Sequence, residues 1–300
     1  MTDQPRPSDW MSILALGFVW GGTFMVISLA LDGYGPLTVA CARTTLGALS
    51  LLGLMAATGR PMPRPAPKLW SSIFWIGMFS TAVPFLLLSW GIRLVPSAFA
   101  GISMAAVPLF VLPLAHVFSD EKLVMRKFAG VLIGFVGALV LIGPGLATLG
   151  QGSEPLAQLA CVGAALCYAV SSITTRRCPP IDPITLSALT LAVGSIALIP
   201  LMLWVEGVPG WAGAKPGFAI LFLGLIPTAA ATLLRVRVIR SAGAVFMTLV
   251  NYQVPIWAMI FGAVVLSEAL PLRFFAALGL ILTGLAISQW YSLKRLLTGK

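Results

Sequence analysis

The sequence predicts an all-α polytopic membrane protein of ten transmembrane helices, arranged as two inverted-topology repeats of five. Three observations predict it. The chain is 59% hydrophobic and 9% charged with a mean hydropathy of +0.99, against about 25% charged residues in soluble domains. A shift of 147 residues lays the chain on itself without a gap, placing Pro36 on Pro183, Gly77 on Gly224, Arg93 on Arg240, Pro108 on Pro255, Glu121 on Glu268 and Gly137 on Gly284. Lysine and arginine also collect at alternate ends of the apolar runs.

A bilayer core has no water to take backbone hydrogen bonds, so spans are helices or strands of a closed barrel. Apolar runs of about 20 residues without alternation exclude the barrel. Cut at proline, glycine and charge clusters, the chain gives helices over 10–31, 36–58, 69–92, 95–118, 124–143, 155–175, 183–204, 216–238, 242–266 and 271–293. The first follows a tail with one arginine and two aspartates and is too long for a signal-peptide core, so it is expected to remain as a helix. Only residues 93–96 and 240–243 mark the turns into the fourth and ninth helices. The repeats are assigned to residues 1–147 and 148–300. Cys41, Cys161, Cys167 and Cys178 have no metal-type spacing and are expected to be free thiols.

Charge sets the orientation. With a cytoplasmic N-terminus, fifteen of the 19 Lys and Arg residues fall on the inner side, in clusters such as Arg60-Arg64-Lys68, Arg176-Arg177 and Arg235-Arg237-Arg240. Arg93, Lys215 and Arg273 fall outside, and Arg43 alone lies inside a span. This asymmetry places both termini in the cytoplasm. Scattered in this way, the net charge of +10 reads as topology and not as a nucleic-acid surface. An odd number of helices per repeat inverts the second unit, which puts a pseudo-two-fold axis in the membrane plane and a ligand site near mid-bilayer.

The segments VPLFVLPLAHVFSDEKLVMRKFAGVLIGFVG and VPIWAMIFGAVVLSEALPLRFFAALGLILTG each carry a proline, a glutamate thirteen residues on, and a glycine-spaced helix, and FVWGGTF lies in the first helix. The chain thereby resembles the drug/metabolite transporter superfamily with paired EamA domains and, within it, bacterial exporters of amino acids and related metabolites of the YddG type. The resemblance implies helices around a central cavity opened alternately to either side of a bacterial cytoplasmic membrane. It implies no cofactor. The expected partners are a small-molecule substrate and membrane lipid, with no nucleic acid and a monomer as the working unit.

Candidate site residues follow from polarity and repeat position. Pro108 and Pro255 each remove a backbone donor at matched positions and are read as hinges, the alternative being packed kinks. Asn251, Tyr252 and Gln253 form the densest polar run in any span, opposite Met104-Ala105-Ala106 in the repeat with Ser103 adjacent; they line a wet cavity or bond between helices. Trp20, Phe79, Ser80, Thr81, Tyr168 and Thr228 offer an aromatic floor and hydroxyls, with plain packing as the alternative for Trp20 and Phe79 individually. Arg43, about 10 Å below the outer surface by helical rise, either attracts a substrate carboxylate or snorkels outward. His116, the single histidine, is weighed as a proton relay but lacks carboxylates in series. Glu121 and Glu268, followed by Arg126 and Arg273, are expected to mark helix starts and form short ion pairs.

The function predicted is secondary transport: export of apolar or aromatic amino acids and related metabolites by uniport. Alternatives are a proton-coupled drug or nucleotide-sugar carrier or, in a different class, a membrane enzyme or scaffold. No GxxxxGK[ST] or HExxH motif is present, and one histidine gives little for intramembrane catalysis. A cytoplasmic reporter fused after Lys300 is expected to be active and a periplasmic one silent; strong periplasmic activity would overturn the ten-helix topology.

Overall fold

A computed structural model describes residues 6–118, 124–143, 152–242 and 244–290. Among the described residues there is no strand, and eight helices are long and apolar enough to cross a membrane. They are α1 (Pro7–Leu31), α2 (Pro36–Ala57), α3 (Pro67–Ile92), α4 (Ser97–Phe118), α5 (Met125–Ile142), α6 (Glu154–Arg177), α7 (Pro183–Val205) and α8 (Ala214–Ile239). Two shorter apolar helices, α9 (Val250–Val265) and α10 (Leu272–Ser288), complete the set. The first residues of α2, α3, α5 and α7 match those of α7, α8, α10 and α2 through the 147-residue shift or its reverse. Proline sits in the first turn of α1, α2, α3, α6 and α7, where its missing N–H costs nothing.

Helices in lipid gain little from apolar burial against one another, so close approach of small residues holds them. Backbone meets backbone between α5 and α10. A Cβ on Gly284 would lie 2.7 Å from the Gly134 backbone nitrogen, and one on Gly137 would lie 3.0 Å from the Ala277 carbonyl. Gly130 in turn faces Gly284 and Ser288. Rising along α5 therefore means descending along α10. The repeat mates pack antiparallel, with Gly130 against the mate of Gly137 and Gly137 against the mate of Gly130. The same exchange joins α2 to α7, where Gly47 meets Leu191 and Thr44 meets Gly194. A two-fold axis across the helices relates the halves, which is the inverted repeat.

The remaining helices interlock across that axis. α1 packs on α8 and α9, and α6 packs correspondingly on α3 and α4. Carboxylates lock the ends. Glu206, after α7, accepts from Leu37 N at 3.0 Å and Thr38 N at 2.8 Å at the start of α2. Glu268 accepts from Ser97 N at 2.6 Å and Ala98 N at 3.0 Å at the start of α4. Each satisfies donors that a helix N-terminus leaves open. At the opposite end Asp182 caps α7 through Ile184 N and Thr185 N, both at 3.1 Å, and pairs with Arg60. Burial works against ionisation of Asp182, but the Thr185 backbone donor and Arg60 outweigh it and hold the carboxyl below its ordinary value.

Two expectations need correction. Glu268 does not pair with Arg273: two backbone donors of α4 hold its carboxylate, while Arg273 lies beside Gly143 at the C-terminus of α5, where a cation complements the helix dipole. Glu121 lies outside the described residues. The helix breaks also do not fall at matched depths. α4 loses regularity at Ala105-Ala106, and the stretch before α9 does so at Thr248-Leu249, one turn from the repeat position. Pro108 consequently occupies the first turn of a new helical segment, where it displaces no needed donor, while Pro255 stays inside α9.

Gly284→Ala is expected to force backbones apart and lower stability by about 1–3 kcal/mol. Gly279→Ala, on the same helix with nothing within 4 Å of the added methyl, is expected to be neutral. Thermal unfolding of the detergent-solubilised variants checks this, and equal behaviour would refute the interface assignment.

Candidate functional site

The site begins with a proline. Within α8 the helix widens over Gly224–Ala230, where the Ala231 N–H reaches back five residues to the Ile226 carbonyl. Pro227 has no N–H, so it cannot act as a donor to the Leu223 carbonyl one turn earlier. The Thr228 hydroxyl supplies one at 2.8 Å. That hydroxyl still has acceptor capacity, and Arg43 Nη2 of α2 donates to it at 3.3 Å. The irregular turn also presents the Pro227 carbonyl to Trp20 Nε1 of α1 at 3.1 Å.

Arg43 does not snorkel; it is 4% exposed. Its guanidinium lies 3.8 Å over the Phe85 ring of α3, and Tyr168 of α6 packs partly buried against the cluster that holds Phe85 and Cys41. Cation–π contact is worth about 2 kcal/mol when desolvated. Only one of the five donors is hydrogen-bonded, Nε is buried without a partner, and no carboxylate pairs with Arg43 among the described residues. Trp20, Arg43, Tyr168 and Thr228 thus converge from four helices of both halves.

The other candidates lie elsewhere. Thr81, in the widened turn Met78–Ala82 of α3, donates to the Gly77 carbonyl at 2.6 Å and packs on Gly194 of α7. This mirrors Thr228 against Gly47. Phe79 is half-buried and stacks on Trp75 of its own helix at 5.9 Å, and Ser80 is half-buried beside it. Ser103 is buried and donates to the Phe99 carbonyl at 2.9 Å, while Met104 packs partly buried against the main core. Asn251 and Gln253 are half-buried on α9. Gln253 presses on Gly17 of α1, and the Tyr252 hydroxyl and Gln253 Oε1 are buried without partners. His116 is exposed near the end of α4. Sequence reasoning missed Phe85 and the part played by Pro227. The signal for Pro227 was a proline beside a threonine in one half, where the other half has Ser80-Thr81.

The sequence profile described as the EamA-like transporter family matches residues 10–143 and again 155–290. A relative from Archaeoglobus fulgidus, described as an uncharacterized transporter, is 25% identical over 280 residues, 93% of this chain and 97% of its own. YedA of Escherichia coli K12, described as an uncharacterized inner membrane transporter, is 24% identical over 90% of this chain and 87% of its own. A protein of Streptantibioticus cattleyicolor described as a probable terminal-alkyne amino-acid exporter is 26% identical over 87% of this chain and 86% of its own. One crystal structure shares the fold, with a TM-score of 0.66 at 20% identity over 96% of this chain and 99% of its own. A profile met twice, once in each half of an interlocked helical pair, makes this chain a member of the EamA-like transporter family and a multi-pass membrane transporter.

Proposed function

We propose that the protein exports small organic solutes, chiefly apolar and aromatic amino acids and related metabolites, from a bacterial cytoplasm by alternating access. The observation that carries this reading is the mid-span convergence of Trp20 and Arg43 on Pro227 and Thr228 in the widened turn of α8, with Phe85 against the guanidinium. Polar groups buried in membrane helices are costly, and broken helices between inverted halves are where transporters hold their ligands. The amino-acid exporter among the relatives supports the substrate class. Half-buried Met104, Phe79 and Tyr252 with Asn251 and Gln253 supply further adaptable surface on α3, α4 and α9, since methionine and aromatic walls repack around varied shapes. We assign residues 1–147 and 148–300 as the two moving repeats, both termini to the cytoplasm, and one chain as the working unit.

Transport is assigned as uniport. Each described acidic residue is occupied near a helix end. Asp182, Glu206 and Glu268 cap helices, Asp32 pairs with Lys215, Asp9 accepts from Ser241, and Glu154 accepts from Gln158. Proton relays in membranes usually use carboxylates in series inside the spans.

Proteoliposomes offered a mixed panel are expected to take up apolar and aromatic amino acids down their gradients, with rates unchanged by an imposed pH difference. Uptake restricted to phosphorylated compounds, or strict dependence on the pH gradient, would overturn the reading. The hinges are tested separately. Pro108→Ala gives residue 108 a donor for the Met104 carbonyl across the break in α4, and Pro255→Ala gives one for the Asn251 carbonyl. Both are expected to insert normally, to lose transport, and to shift thiol labelling of inner and outer mouth cysteines in opposite senses. Asn251→Leu is expected to weaken substrate binding without that shift. Normal transport and labelling in both proline variants would return Pro108 and Pro255 to structural kinks.

A further inference from the structure

We infer that Arg43 is the anchor for a carboxylate carried by the transported solute, with Thr228 and the Phe85 face fixing its orientation. The inference deepens the amino-acid reading above and rests on it. The argument starts from the symmetry of the fold. The repeat mate of Arg43 is Thr190, the mate of Thr228 is Thr81, the mate of Phe85 is Thr232 and the mate of Tyr168 is Gly21. The contact itself recurs, since the Thr81 hydroxyl approaches the Thr190 carbonyl at 3.5 Å where Thr228 meets Arg43 at 3.3 Å. The scaffold therefore closes with a small neutral residue at this place. Packing between α2 and α8 asks for no cation, yet one half keeps a guanidinium there, a group costly to hold inside a span.

The cost is only partly offset inside the protein. One donor reaches a neutral hydroxyl, a ring covers one face, and Nε is buried with nothing to accept from it. Removing a buried cation's counter-charge is expensive, and supplying it is correspondingly favourable. A planar carboxylate matches the guanidinium fork through two parallel hydrogen bonds. One negative charge neutralises the Arg43 guanidinium, whereas a phosphate dianion would leave a negative charge over. A carboxylate held at Arg43 leaves the rest of the solute toward Tyr168 and Trp20, where an apolar or aromatic side chain finds rings. The anchor sits on one side of the pseudo-two-fold, so the solute binds in one orientation although its scaffold is nearly symmetric.

The test is quenching of intrinsic tryptophan fluorescence in the purified full chain, with wild type, Arg43→Gln and Arg43→Lys and with thermal unfolding as a check on folding. The probes are phenylalanine, phenylalaninamide, phenethylamine, 3-phenylpropionate and phenyl phosphate. Wild type is expected to bind the two carboxylates at least about tenfold more tightly than the amide and amine, the size expected for one charge-assisted hydrogen bond. Arg43→Gln is expected to abolish that preference by weakening binding of both carboxylates at least about tenfold. Arg43→Lys, which keeps the charge and loses the fork, is expected to retain part of the preference and serves if the glutamine variant fails to fold. A carboxylate preference that survives in Arg43→Gln, equal binding of acid and amide by wild type, tighter binding of phenyl phosphate, or no quenching by any probe would each overturn the assignment. Binding of 3-phenylpropionate with no binding of phenylalanine would uphold the anchor and reject the amino-acid reading.

Discussion

Close approach of small residues between repeat mates is the interaction on which this structure depends. Lipid gives two apolar helices little reason to associate, so contact has to come from backbones near enough for dispersion and weak hydrogen bonds to act. Gly130, Gly134, Gly137 and Gly284 provide it between α5 and α10, and Gly47 and Gly194 provide it around α2 and α7. Gly101 against Ala258 and Gly21 against Trp257 extend the principle to α4, α1 and α9. Because mates meet antiparallel at these glycines, the two-fold relation is a consequence of packing.

With the mid-membrane contacts made by small residues, the carboxylates are left to the helix ends. Glu206 and Glu268 each cross from one half to cap a helix of the other, and the glycines beneath them, Gly35 and Gly262, leave room for the carboxylates. Asp182 and Arg60 link the halves at the opposite end. These links tie the halves at both rims, while the middle of α3, α4 and α8 departs from regular helix. Irregular backbone at membrane depth is tolerable only where protein or a cavity satisfies it. Thr228 on the Leu223 carbonyl and Trp20 on the Pro227 carbonyl do this.

The mid-span irregularities differ between halves, and the difference is chemical. Where α8 has Pro227-Thr228 inside its widened turn, α3 has Ser80-Thr81 and carries its proline, Pro84, just beyond the turn, and its threonine hydroxyl serves the Gly77 carbonyl and a weak contact with Thr190. In α8 the Thr228 hydroxyl donates to the Leu223 carbonyl, and its oxygen accepts from Arg43. Duplication supplied the frame, and divergence at a few positions produced one charged site from two equivalent places.

The sequence by itself determined the helices, their inversion and most of their ends. Hydropathy and proline punctuation act along the chain, and the 147-residue register ties one half to the other. It also named Trp20, Arg43, Tyr168 and Thr228, because a polar or bulky residue inside an apolar run is visible without a fold. Only the tertiary structure decided which of them meet. Phe79 and Thr81 share the same helix and depth signals, yet one stacks on its own helix and the other packs on Gly194. Glu268 has Arg273 five residues away, yet it serves the α4 amides, because four N–H groups at a helix start are the nearest unsatisfied donors in space. The breaks at Ala105-Ala106 and Thr248-Leu249 could not be read from matched prolines either. A proline removes a donor, but where the helix yields depends on which neighbouring helix supplies the next contact.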